Sequence, residues 1–132
     1  MSDLFISYQS ADPLAHSFQV QLLEWADQHW EFPTISFHEQ RLPERFLGAR
    51  AAGIKRRLRR EIKRSQRILV IISRETWQSE WTDWEIATAR QEDKQVLAAK
   101  LDSTNISPLE LHAADPAWID PFDPAVLAQP NF

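Results

Sequence analysis

The sequence predicts an α/β fold organised as a doubly wound parallel sheet, and three observations carry that reading. Two short runs, Leu4-Phe5-Ile6 and residues 68–72, are continuously apolar, as strands are when both of their faces are covered. Such runs alternate along the chain with stretches whose apolar residues recur at helical spacing, the order of parallel βαβ units. The 132 residues are the length of one domain and show neither an internal repeat nor a linker. A single domain over 1–132 is therefore expected, with a Pro-rich C-terminal segment from about 103.

The elements follow in order. The first strand is expected over 4–7. Asp12 and Pro13 then supply an N-cap and a first helical residue, and Leu14, Phe18, Leu22 and Trp25 keep helical spacing to about Asp27. Thr34-Ile35-Ser36-Phe37 is β-rich and follows Pro33, giving a second strand, and residues 38–48 read as a polar loop. A helix over 49–64 has a narrow apolar stripe of Ile54, Leu58 and Ile62, so most of its surface is wet. Residues 67–72 form the clearest strand, a central one. After a loop over 73–78, Ser79 can cap a helix to about Asp93, and 95–101 make a fourth strand. Five of the eight prolines lie beyond it, which argues against long elements there. Trp118-Ile119 reads as a short edge strand and Asp123-Pro124 as the start of a last helical turn. Right-handed crossovers place functional loops at the carboxyl ends of the strands.

Composition narrows the chemistry. Cysteine is absent, which removes disulfides, thiolate zinc sites and cysteine nucleophiles. No signal-type segment opens the chain and the longest apolar run, 68–72, is far short of a membrane span, so a cytoplasmic protein is expected. Gly48 and Gly53 superficially frame a phosphate loop, but Ile54 stands where the lysine should, and a helix start is the better reading. The four histidines (16, 29, 38 and 112) show no helical ligand spacing, so no metal site is expected. A Gly-x-Ser-x-Gly elbow is missing too.

The net charge of −4 conceals an asymmetry: residues 55–67 hold eight of the fifteen Lys and Arg and one acid, Glu61. This basic helix reads as a solvated face that meets solvent, a neighbouring copy or the acidic remainder of the chain. Nucleic-acid binding through it is a minority reading, since the interleaved aromatics of a single-strand binder are missing. The richest segment is 73–85, SRETWQSEWTDWE, where a loop leaves the central strand at Ser73 and enters a helix carrying Trp81 and Glu85 on one face. An acid beside aromatics at the carboxyl end of a strand suits a sugar-nucleotide pocket.

These residues resemble a family. Asp3-Leu4-Phe5-Ile6-Ser7-Tyr8 is similar to the opening strand of Toll/interleukin-receptor (TIR) domains, and Trp81-Thr82-Asp83-Trp84-Glu85 matches the Trp-x-x-x-Glu pattern of their catalytic members. The run over 62–86 is similar to the TIR-like proteins of the bacterial Thoeris antiphage system, and the resemblance covers most of residues 3–101. It implies a flavodoxin-like five-stranded sheet in the order 2-1-3-4-5, and cleavage of NAD+ at the nicotinamide–ribose bond to give a cyclic or otherwise modified ADP-ribose. NAD+ enters as substrate, with no cofactor expected. The family's catalytic acid falls on Glu85, and its nucleotide contacts on Ser7 and Tyr8 with Phe5 nearby. Relatives carry an Asp after the second strand, where this chain has Phe37-His38-Glu39, which puts His38 at that edge of the pocket. Ser73 and Trp81 complete the expected substrate-binding set; Trp81 can wall the ligand or pack its helix, and packing is preferred. A separate effector would receive the nucleotide product, and a neighbouring copy would complete the site through the loop 38–48. The alternative is a non-catalytic TIR module that signals by assembly.

Overall fold

The computed structural model describes residues 4–8, 13–28, 35–36, 48–74, 76 and 79–119. Its elements are β1 (Leu4–Ser7), α1 (Pro13–Gln28), β2 (Ile35–Ser36), α2 (Ala49–Arg64), β3 (Arg67–Ile72), α3 (Glu80–Gln91), β4 (Gln95–Lys100), α4 (Leu109–Ala114) and β5 (Ala117–Trp118). The α/β class and the parallel sheet are those the sequence predicts. Strands lie in the order β2-β1-β3-β4-β5, each paired in parallel with its neighbour. β2 and β5 contribute two residues each, so β1, β3 and β4 carry the sheet. The connections run one way from β1 to β2 and the other way from β3 onward, which makes the β1/β3 boundary the topological switch point.

Alternation along the strands sorts the core into two faces. Leu4 and Ile6 of β1, Leu69 and Ile71 of β3, and Leu97 and Ala99 of β4 pack against Phe18 and Leu22 of α1. Phe5, Ile68, Val70, Ile72, Val96 and Ala98 point the other way, beneath Leu58 and Ile62 of α2 and Trp81, Ile86 and Ala89 of α3. All six residues of β3 are buried: the apolar run 68–72, as a strand covered on both sides requires, and Arg67 at its start. α2 begins after Gly48, whose φ of 111° is one a side chain would strain.

α4 was not anticipated. Its six residues are too few for a helical period to show, and the prolines around it argue against helix. Its amino end is held from outside, by the Asp83 carboxylate of α3 accepting the Glu110 backbone N–H at 3.3 Å. The expected turn at Asp123-Pro124, most of the loop 38–48, and His38 lie outside the described residues. Among the described residues no helix is long and apolar enough to cross a membrane, and no group of three or more acids and histidines is placed to hold a metal ion.

Candidate functional site

β1 ends its apolar alternation on a polar residue. Ser7 shares a face with Phe5, two residues back, and so points toward α2 and α3. It pairs in register with Val70 of β3, which sets its hydroxyl at the carboxyl end of β1, on the switch point.

α3 brings the partner. Ser79 caps the helix, its hydroxyl accepting the Thr82 backbone N–H at 3.2 Å, and Glu80 and Asp83 place negative charge in the first turn, where the helix dipole favours it. The buried face then runs through Trp81, Glu85, Thr88 and Ala89 at helical spacing. Glu85 consequently points inward, with 3% of its surface exposed, and the Ser7 hydroxyl donates to its Oε1 at 3.2 Å. Burial pushes the Glu85 carboxyl up to about 8, with the Ser7 hydrogen bond pulling the other way. At neutral pH this carboxyl is therefore mostly protonated, because an ionised carboxylate would be costly in so dry a site. A cation brought beside it would favour the charged form and release the proton.

The remaining expected site residues are spread around this pair. Trp81, one turn before Glu85, is 6% exposed and belongs to the core. It meets Trp84 edge to face, with ring centroids 6.3 Å apart. Lys55 lies over the Trp81 ring and Arg59 over the Trp84 ring, each 5.9 Å from the centroid, so part of the charge of α2 is spent bracing α3. Phe5 is buried in the core beneath the site. Tyr8 is half-buried against the α1 side of the sheet, away from Glu85. Ser73, at the end of β3, is buried in a turn: its N–H donates to the Thr76 hydroxyl oxygen at 2.8 Å, and the two hydroxyls lie 3.0 Å apart. Ser7 and Glu85 are thus brought into contact, while Ser73 follows the end of β3, three residues beyond the Val70 level of Ser7.

Sequence reasoning passed over several residues here. Thr76, fully buried, fastens the loop after β3. Arg74 of that loop and Ser73, one of the expected site residues, together with Asp102, Thr104 and Asn105 after β4, line a cavity of about 400 Å³. The spacings Ser73-x-x-Thr76 and Asp102-x-Thr104 are side-chain-to-backbone turn patterns and were the available signals. Glu85 is not among the residues that line this cavity.

Residues 5–106 match the family model described as the TIR-like domain of the Thoeris protein ThsB. Among solved structures, the chain is similar to the TIR domains of the activated Roq1 resistosome that directly recognises the pathogen effector XopQ, with a TM-score of 0.57 and 15% identity over 77% of this chain and 58% of that one. It is also similar to a conserved protein from Enterococcus faecalis, with a TM-score of 0.58 and 13% identity over 97% of this chain and 86% of the other. At such identities these likenesses speak to the fold. None of the curated proteins matches the chain.

Proposed function

We propose, from the premise that this chain belongs to the Thoeris ThsB TIR-like domain family, that it cleaves NAD+ at the nicotinamide–ribose bond and makes a cyclic or modified ADP-ribose signal for a separate effector in antiphage defence. The observation that carries the reading is the Ser7–Glu85 contact: the one buried carboxyl among the described residues, bonded to a hydroxyl at the carboxyl end of β1 on the switch point of the sheet.

A lone carboxylate suits this reaction. The bond between the ribose C1′ and the pyridinium nitrogen breaks with its electron pair going to nitrogen, so nicotinamide leaves neutral and needs no acid to protonate it. The ribosyl fragment is left with oxocarbenium character, as in glycoside cleavage. Glu85 stabilises that charge once its proton has gone, and a charge that develops in the transition state is where a fixed carboxylate contributes most. Ser7 holds one carboxyl oxygen and so orients the other. Capture of C1′ by a nucleophile of the same nucleotide, with loss of that nucleophile's proton, closes a ring; capture by water gives ADP-ribose.

The test is nicotinamide release by wild type and Glu85→Gln side by side, with circular dichroism as the folding control. The variant should remain folded and lose on the order of 10²-fold or more in kcat, with a smaller change in KM. Equal release by both would remove Glu85 from the reaction.

One observation favours the second reading, a non-catalytic assembly module: Glu85 is 3% exposed and does not line the cavity beyond β3 and β4. That reading requires wild type to release no nicotinamide at any protein concentration and Glu85→Gln to assemble as wild type does. The catalytic reading takes the same burial as a closed resting site that a neighbouring copy completes, so turnover should rise with protein concentration.

A further inference from the structure

The cavity beyond the carboxyl ends of β3 and β4 has a composition of its own. About 400 Å³ is the size of a small-ligand site, and it lies at the carboxyl end of the sheet, one strand along from the β1/β3 switch point. Arg74 supplies a cation; it is exposed, and no carboxylate among the described residues pairs with it. Asp102, in the loop after β4, supplies an anion to the same lining. Its Oδ1 accepts the Thr104 backbone N–H at 2.9 Å and the Thr104 hydroxyl at 2.7 Å. Those bonds hold the carboxyl below its ordinary range, fix its plane and leave Oδ2 for a donor from outside. Leu101 and Ile106 add apolar wall, and Ile106 is 57% exposed. The loop is tied to the sheet before any ligand arrives: the Leu101 N–H, at 3.0 Å, and the Asn105 side-chain amide, at 3.1 Å, both donate to the Ile72 carbonyl.

A simple anion does not suit this site, because Asp102 would repel it. A simple cation is opposed by Arg74. The pair asks for a ligand that carries a phosphate and, a few bonds away, hydroxyls that can donate. We infer that this cavity binds the ribose 5′-phosphate of an adenine nucleotide, with Arg74 on the phosphate, Asp102 on the ribose hydroxyls, and Leu101 and Ile106 against the base. An acidic side chain on ribose hydroxyls is an established solution for nucleotides at such sheets, and Arg is the residue suited to a phosphate fork.

The inference rests on the proposed NAD+ reaction for one point, the identity of the nucleotide as the adenosine half of the substrate.

The experiment is calorimetric titration of the whole chain with adenosine 5′-monophosphate, 2′,3′-dideoxyadenosine 5′-monophosphate and inorganic phosphate. Wild type is compared with Arg74→Gln and Asp102→Asn, the latter chosen because Asn preserves the turn to Thr104. Wild type should bind adenosine monophosphate more tightly than either other probe, and each substitution should weaken that binding about tenfold or more. Asp102→Asn should also lose the discrimination between the ribose and dideoxyribose forms. Failure of wild type to bind adenosine monophosphate at millimolar concentration overturns the inference, and so does equal affinity across the three proteins. Nicotinamide release, measured alongside, separates the two readings. A wild type that binds adenosine monophosphate as described but releases no nicotinamide keeps this site and loses the reaction assigned to Glu85.

Discussion

Replacing Glu85 by Gln should change how stability depends on pH, whatever it does to activity. The carboxyl is 3% exposed and its proton is held up to about pH 8, against an ordinary value of 4.5, because burial disfavours the charge. The folded state therefore binds this proton more tightly than the unfolded state does. Between pH 4.5 and about 8 the unfolded chain has released it and the folded chain has not, so stability falls as pH rises through that window and the loss is complete above it. Each pH unit is about 1.4 kcal/mol, which puts the whole span on the order of 5 kcal/mol. Gln has nearly the same size, can keep a hydrogen bond to Ser7, and does not titrate. The assay is urea denaturation of both proteins at intervals from pH 4.5 to 9, read as the difference between them so that every other titrating group cancels. The two should be nearly equal at the acid end, and the variant should gain steadily to an advantage of several kcal/mol at the alkaline end. A difference that stays constant within about 1 kcal/mol over the range, the scatter expected of ordinary substitutions, would refute the burial argument for Glu85.

Further outcomes follow from the same geometry. If the proposed reaction uses ionised Glu85, kcat/KM for NAD+ should climb with pH toward a plateau above about 8, and a steady-state pH profile checks it. Ser7→Ala removes the donor to Oε1 and should hold the Glu85 proton to still higher pH, at a stability cost of about 1–3 kcal/mol; urea midpoints across pH report both effects. Ser79→Ala should cost about 1 kcal/mol by uncapping α3, seen in thermal denaturation. Lys63→Ala should cost less than about 1 kcal/mol by the same measurement, since its 4.0 Å pair with Glu92 is largely exposed.

Much of the scaffold was legible because local chemistry and burial agree. An unbroken apolar run marks β3, the three-residue stripe Ile54, Leu58 and Ile62 marks α2, and Ser79 marks the start of α3 in the sequence as in the structure. α4 was not legible, because what holds its first turn is Asp83, on another helix. The site was legible in part. Helical spacing put Trp81 and Glu85 on one face, but nothing local says that the residue facing Glu85 is Ser7, 78 positions away. Nor could the pattern show how dry Glu85 is, or that Phe5 goes to the core while its neighbour in alternation, Ser7, meets the acid. These are properties of strand register and helix packing, which appear only when the layers come together.

That register has a consequence for folding fidelity. β1 is four residues long and its side chains alternate, so a slip of one position against β3 would turn Leu4 and Ile6 toward α3 and Ser7 toward α1. Both arrangements would bury apolar side chains, and hydrophobicity alone separates them weakly. The misaligned one would set Ile6 opposite Glu85 and leave a buried acid with nothing to bond, a penalty of about 1–3 kcal/mol. It would also press the serine hydroxyl into the packing of Phe18 and Leu22. One polar contact therefore works as a proofreading element for strand alignment: it adds little to the correct fold and weighs heavily against its nearest competitor.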